Sequence, residues 1–332
     1  MADLTGMMQA AAGSAGGGSA SGSYIAVGHQ GSPYFTLLDH TTPGTVSLAT
    51  TYTLSATAYG VSFSPSGDYI AVGKDLTPQF TLLNHSAGSV SLAATYTLAN
   101  TGYGCPFSPD GNYIALGSQN SPFFTLLDHT TPGTVSLSAT YTLSGPGNAI
   151  AFSPNGNYIA AAHSISPFFT LLDHTTPGTV SLAATYTLSD VGQGVAFSPD
   201  GSYIAVAHQG SPYFTLLDHT TPGTVSLATT YTLPNTGWSV SFSPLGDYIA
   251  VGHDTSPRFT LLNHSAGSVS LATTYIFSSV SYSVAFSPDG NYIAIGSNGA
   301  PRFFLLSHSA GSVSLASTYT LPSAGRAVAF NP

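Results

Sequence analysis

The chain contains no glutamate, and only four of its 332 residues are lysine or arginine. Four cations cannot build the clustered track that displaces counterions from phosphate, which excludes nucleic acid as a partner. The formal charge of −9 therefore rests on 13 aspartates, and with 5% of residues charged, solubility falls to threonine, serine, asparagine and glycine. No apolar run approaches the ~20 residues of a membrane span, so the hydrophobic content belongs to short buried strands. The single cysteine, Cys105, excludes an internal disulfide. The N-terminus lacks a basic segment followed by an apolar one, so no secretory leader is legible.

What is present is a repeat. Tyr-Ile-Ala recurs at Tyr24, Tyr69, Tyr113, Tyr158, Tyr203, Tyr248 and Tyr292, at intervals of 44 or 45 residues. Within one unit, GVAFSP reads as strand a, YIAVA as strand b, YFTLLD as strand c and VSLATTYTL as strand d, with Gly- and Pro-bearing turns between them. Four short strands per 45 residues is the pattern of a propeller blade. Residues 24–54 and 203–233 differ only at Gly28 and Ala207, the mark of duplication within the gene. The first unit lacks strand a, and the chain ends in Ala327-Val-Ala-Phe-Asn-Pro332, a strand a with no strand b after it. The expected fold is thus an all-β, seven-bladed propeller over residues 24–332, four antiparallel strands per blade. The C-terminal strand a pairs with the N-terminal strands b, c and d to close the ring, which leaves no orphaned sheet edge at either end.

The run FSPDGxYIAVG, followed by a strand ending Leu-Leu-Asp, resembles the WD-repeat family and its surface-layer and lactonase-like propeller relatives. Leucine stands where the Trp of the WD dipeptide would be, as at Leu38 and Leu217, and no Gly-His precedes strand a. The family's Asp-His-Ser-Trp hydrogen-bond network is therefore not expected. Residues 1–23 form a separate tail, a short potentially helical start followed by a Gly/Ser/Ala linker. Its opening, MADLTGMMQAAAG, resembles the start of structural proteins of tailed bacteriophages of aquatic bacteria. That resemblance implies an anchor, with Leu4, Met7 and Met8 as its apolar contacts, other virion proteins as partners, and a virion location after synthesis in the host cytoplasm.

Because strands alternate in direction, the a–b and c–d turns share one face, the bottom, and the b–c and d–a loops share the top. Bottom turns hardly vary between blades, whereas the top loops diverge, with only the b–c loop HQGSP occurring twice. Tyr59, Tyr103, Asn148, Gln193, Trp238, Tyr282 and Arg326 occupy one equivalent position at the entrance to strand a, which puts them around the top mouth of the central channel. Aromatic faces mixed with amide and guanidinium groups suit the stacking and hydrogen bonding of a sugar. Lys74, Arg258 and Arg302, the other cations, are expected as ligand-binding side chains of the top loops.

Seven histidines follow strand c at equivalent positions, including His40, His85 and His129. On a propeller they stand about 8 Å apart, twice the spacing of ligands on one metal, so a turn-capping role is expected and no metal. His29, His163, His208 and His253 begin b–c loops and are expected to be solvated. No cofactor motif is present. The top-face carboxylates Asp75, Asp190 and Asp254 are isolated in sequence and no glutamate can join them, so an acid/base pair is not legible and the chain is expected not to be an enzyme. The function these readings combine to suggest is a virion decoration or tail-fibre protein, its propeller displayed outward and its mouth offered to a host-surface glycan. The alternative is a WD-repeat-like protein-interaction scaffold.

Overall fold

The computed structural model describes residues 22–332. These residues form seven four-stranded antiparallel blades around a channel, with no helix among them. Strands Gly325–Phe330, Tyr24–His29, Tyr34–Asp39 and Ser47–Thr53 make one sheet in that order from the axis outward. Phe330 lies opposite Ile25 and Ala327 opposite Gly28, so the two chain ends share a blade. Gly22 N–H donates to Asn331 O at 3.0 Å, which brings the chain into the ring on the bottom face.

Strands b and c are sandwiched between neighbouring blades and therefore apolar on both sides. Ile25, Ala26, Val27, Phe35, Leu37 and Leu38 are all fully buried. In the third blade the innermost segment keeps its place but is irregular, pairing through isolated bridges at Gly102–Ser118 and Phe107–Ile114. Pro106 within it has no N–H to give to a ladder, although its carbonyl still accepts from Ala115 N at 3.0 Å.

The blades are joined along the bottom by a repeated triple of rings. Each strand-c histidine stands edge-on between the strand-a phenylalanine of its own blade and the strand-b tyrosine of the preceding one. His85 sits 5.3 Å from Phe63 and 5.2 Å from Tyr24, and His308 5.4 Å from Phe286 and 4.9 Å from Tyr248. The seventh seam runs from Tyr292 to His40 to Phe330, across the junction of the two chain ends. In six blades the histidine Nδ1–H donates to the glycine carbonyl of the a–b turn, as His85 does to Gly67 at 2.7 Å. His40 uses Thr45 O instead, at 2.8 Å. That glycine sits at φ 77°, a left-handed conformation that other residues adopt with difficulty. The strand-a phenylalanines Phe63, Phe107, Phe197, Phe242, Phe286 and Phe330 are buried and Phe152 is half-buried. All of them but Phe63 line the cavity at the bottom of the channel.

The histidines that begin the b–c loops are not solvated, contrary to the sequence reading. His29, His163, His208 and His253 have no exposed surface. Each lies at about the same distance from a strand-c threonine, as His29 Nε2 does from Thr36 Oγ1 at 2.9 Å. The b–c loop folds back over the strand end, so the residue that reads as the first of a loop is the last of a buried strand. Burial pushes all four down to about 4.

Two predictions follow from this packing. A histidine that is neutral when folded and protonated when unfolded destabilises the fold as pH drops below its free value near 6.5, down to about 4. The melting temperature should therefore fall across that window. Replacing His29, His163, His208 and His253 by serine, the residue at the equivalent positions 118 and 297, should flatten the fall; an unchanged pH profile in calorimetry would contradict this. Deleting residues 325–332 should lower the melting temperature far more than trimming a free terminal strand and should produce association in light scattering, because it opens the ring and bares a sheet edge.

Candidate functional site

The residues at the channel mouth owe their direction to a backbone irregularity. In six blades the register between strands a and b shifts by one residue at the top, between Ala58 and Gly60, for example, or Gly237 and Ser239. The extra residue is the mouth residue itself: Tyr59, Asn148, Gln193, Trp238, Tyr282 or Arg326. A bulge leaves that residue out of the ladder and re-aims its side chain, so each blade contributes one group to the mouth. Tyr103 holds the same place in the third blade, its N–H donating to Gly117 O at 2.9 Å.

Five of these residues, from consecutive blades, form a connected arc. Trp238 meets Tyr282 edge-on at 5.7 Å, Arg326 lies 4.0 Å over the Tyr282 ring, and Tyr59 meets Tyr103 at 5.6 Å. The Gln30 amide oxygen accepts from Arg326 Nε at 3.1 Å and from its Nη2. Asn148 spends its amide on Gly192 O at 2.8 Å and Ser164 Oγ at 3.0 Å. Gln193 is half-buried beside it.

The three remaining cations are not free ligand-binding groups. Lys74 is 2% exposed, and its ammonium donates to Ser55 Oγ at 2.8 Å, to Leu76 O at 3.1 Å and to Pro78 O. Burial lowers its pKa, against the opposing charge of Asp75. Arg258 donates to Phe277 O at 2.5 Å and Arg302 to Leu321 O at 2.8 Å. All three tie a b–c loop down, the arginines by bonding the carbonyl that ends the adjacent strand d. Each occupies a site where an unpaired loop carbonyl would otherwise be buried.

Sequence separation hides the group that matters most. Asp75 Oδ1 accepts from Thr101 Oγ1 at 2.6 Å, and the Tyr59 hydroxyl lies near enough to feel the Asp75 charge. Burial raises the pKa of Tyr59 and of Tyr103, and the Asp75 charge raises both further. Both phenols therefore remain protonated donors at neutral pH. Asp75 opens into a top-face pocket of about 460 Å³ between the first two blades, with Gln30, Ser55, Thr57, Asn100 and Thr101 among its walls. Hydroxyl, amide and carboxylate groups thus converge beside the aromatic arc. Cys105 adds nothing to this chemistry, since burial pushes its thiol up to about 12 and leaves no reactive thiolate. The only sequence signal of the pocket is the loop KDLTP, which departs furthest from the other b–c loops. Leu4, Met7 and Met8, expected from the sequence as anchor contacts, lie with the rest of the tail up to residue 21 outside the described residues.

Comparison with known proteins places this geometry in context. Residues 256–304 match the WD domain, G-beta repeat, and the chain is a WD-repeat-like propeller. Among curated proteins none matches it. A candidate 6-phosphogluconolactonase from Bacteroides uniformis superposes with a TM-score of 0.82 at 12% identity, over 92% of this chain and 98% of that one. The periplasmic gluconolactonase of Pseudomonas aeruginosa gives 0.79 at 14%, over 91% and 97%. The hydrazine synthase of Kuenenia stuttgartiensis gives 0.72 at 16%, over 87% and 93%. At these identities the likeness establishes the fold. The expectation of a non-enzymatic virion protein is corrected by the same comparison, since several of the propellers that superpose almost end to end bear the names of lactonases. That expectation rested on reading Asp75 as isolated in sequence, whereas folding sets Thr101 against it and Tyr59 near it.

Replacing Lys74 by methionine tests its assignment to the loop. Leaving Leu76 O and Pro78 O buried without a donor should cost about 1–3 kcal/mol in calorimetry. A variant as stable as the parent would return Lys74 to the ligand-binding surface.

Proposed function

We propose that the chain is a lactone hydrolase acting on sugar lactones at the top pocket. The observation that carries this reading is the convergence of Asp75, Tyr59, Tyr103 and Thr101 at the edge of a hydroxyl- and amide-lined pocket next to an aromatic arc. The names of the propellers with this fold support the same choice of reaction.

Hydrolysis of a lactone needs a base for water, a donor for the oxyanion and a surface that orients the ring. Asp75, held by the Thr101 hydroxyl with Tyr59 near it, takes a proton from water as the water oxygen adds to the lactone carbonyl carbon. The Tyr103 phenol donates to the oxygen that becomes negative. Collapse of the adduct breaks the bond to the ring oxygen, which receives the proton from Asp75, and the product is an open hydroxy acid. Trp238 and Tyr282 offer flat apolar faces to the sugar, and Arg326 and Gln30 offer donors and an acceptor to its hydroxyls.

The protein should hydrolyse glucono-1,5-lactone faster than buffer alone in a pH-stat. Asp75→Asn should lower kcat by about 10²–10⁴-fold while the melting temperature stays within a degree or so of the parent. Trp238, the one tryptophan, should change its emission when the non-hydrolysed glucono-1,5-lactam binds. A wild-type rate equal to the spontaneous one would overturn the reading.

A further inference from the structure

A phosphorylated sugar brings about −1.5 to −2 charges at neutral pH and must be met by cations or by clustered backbone N–H groups such as a helix N-terminus. Neither lines the pocket. There is no helix among the described residues. Lys74 is buried with its ammonium donating to Ser55, Leu76 and Pro78, and Arg258 and Arg302, on other blades, each donate through Nη1 to a strand-end carbonyl. Arg326, the last cation of the chain, stacks on Tyr282 and already donates to Gln30 through Nε and Nη2. The charged wall of the pocket is a carboxylate, Asp75. The rest of its polar lining is neutral, with Gln30, Ser55, Thr57, Asn100 and Thr101 among it.

Resting on the lactone-hydrolase reading, we infer that this pocket is specific for uncharged sugar lactones and that Asp75 turns away anionic ones. The field that excludes a phosphate ester also acts on the product. Ring opening creates a carboxylate beside Asp75, and like charges a few ångströms apart in a partly desolvated cleft repel strongly. The hydroxy acid is thereby expelled, and hydrolysis proceeds without tight product inhibition. A neutral substrate also makes binding insensitive to salt, since screening has no charge pair to act on.

The decisive experiment compares glucono-1,5-lactone with its 6-phosphate on the full chain, alongside Trp238 emission titrations with glucono-1,5-lactam and its 6-phosphate. The neutral lactone should have a kcat/KM at least about tenfold higher, the neutral lactam should bind at least about tenfold tighter, and the KM for the neutral lactone should not change between low and high salt. Leu76→Arg, which adds a cation at the exposed rim of the pocket outside the machinery, should raise kcat/KM for the phosphorylated lactone about tenfold and leave the neutral one unchanged. Equal or better use of the phosphorylated compound would overturn the inference while leaving the hydrolase reading standing. Selective lactam binding without hydrolysis of either lactone would keep the selectivity and discard the reaction, and failure of both lactams to bind would discard the selectivity as well.

Discussion

The ring depends on the contact between one blade's tyrosine and the next blade's histidine. Strands within a blade are held by ladders, but neighbouring blades share no backbone ladder, so the seam must be made of side chains. Here each seam couples three rings and one directed hydrogen bond: tyrosine to histidine edge-on, histidine to phenylalanine edge-on, and in six blades histidine Nδ1–H to a turn carbonyl. The hydrogen bond fixes the imidazole plane, and the fixed plane fixes the angle at which the next tyrosine can approach. Seven repetitions of one angle close a circle. The WD family's buried network is replaced by this arrangement, which explains how leucine can occupy the position of the missing tryptophan without loss of the fold.

Closure then separates two regimes of sequence constraint. The bottom carries the seams, so its turns are nearly invariant from blade to blade. The top carries loops whose internal bonds differ, with Lys74 meeting buried loop carbonyls by one route and Arg258 and Arg302 meeting strand-end carbonyls by another. The pocket lies on the side free of seam constraints, where a carboxylate can be placed without disturbing the joint between blades.

The period, the strands and the shared closing blade were legible because they depend on local patterns that the chain repeats seven times. The mouth ring was legible by aligning the copies, although the bulge that aims it was not, since a register shift is a property of two strands and not of one. His29 and its equivalents were misread because the boundary between strand and loop is set by the fold-back of the loop, and their threonine partners lie on another strand. Asp75 was legible as a residue and not as a site. Thr101, which bonds it, is 26 positions away on another loop and Tyr59 is 16 positions away at a strand bulge, and no one-dimensional spacing rule brings them together.

A bulged residue takes no part in the ladder, so the side chain it presents can be exchanged while the strand on either side stays paired. The first and fifth blades make the point: their strands b to d are all but identical, yet one presents Arg326 and the other Gln193. Copying a blade therefore copies the scaffold and leaves one letter at the mouth free to change. A protein built this way can revise what it recognises by single substitutions, each made at a position the architecture has already excused from holding the ring together.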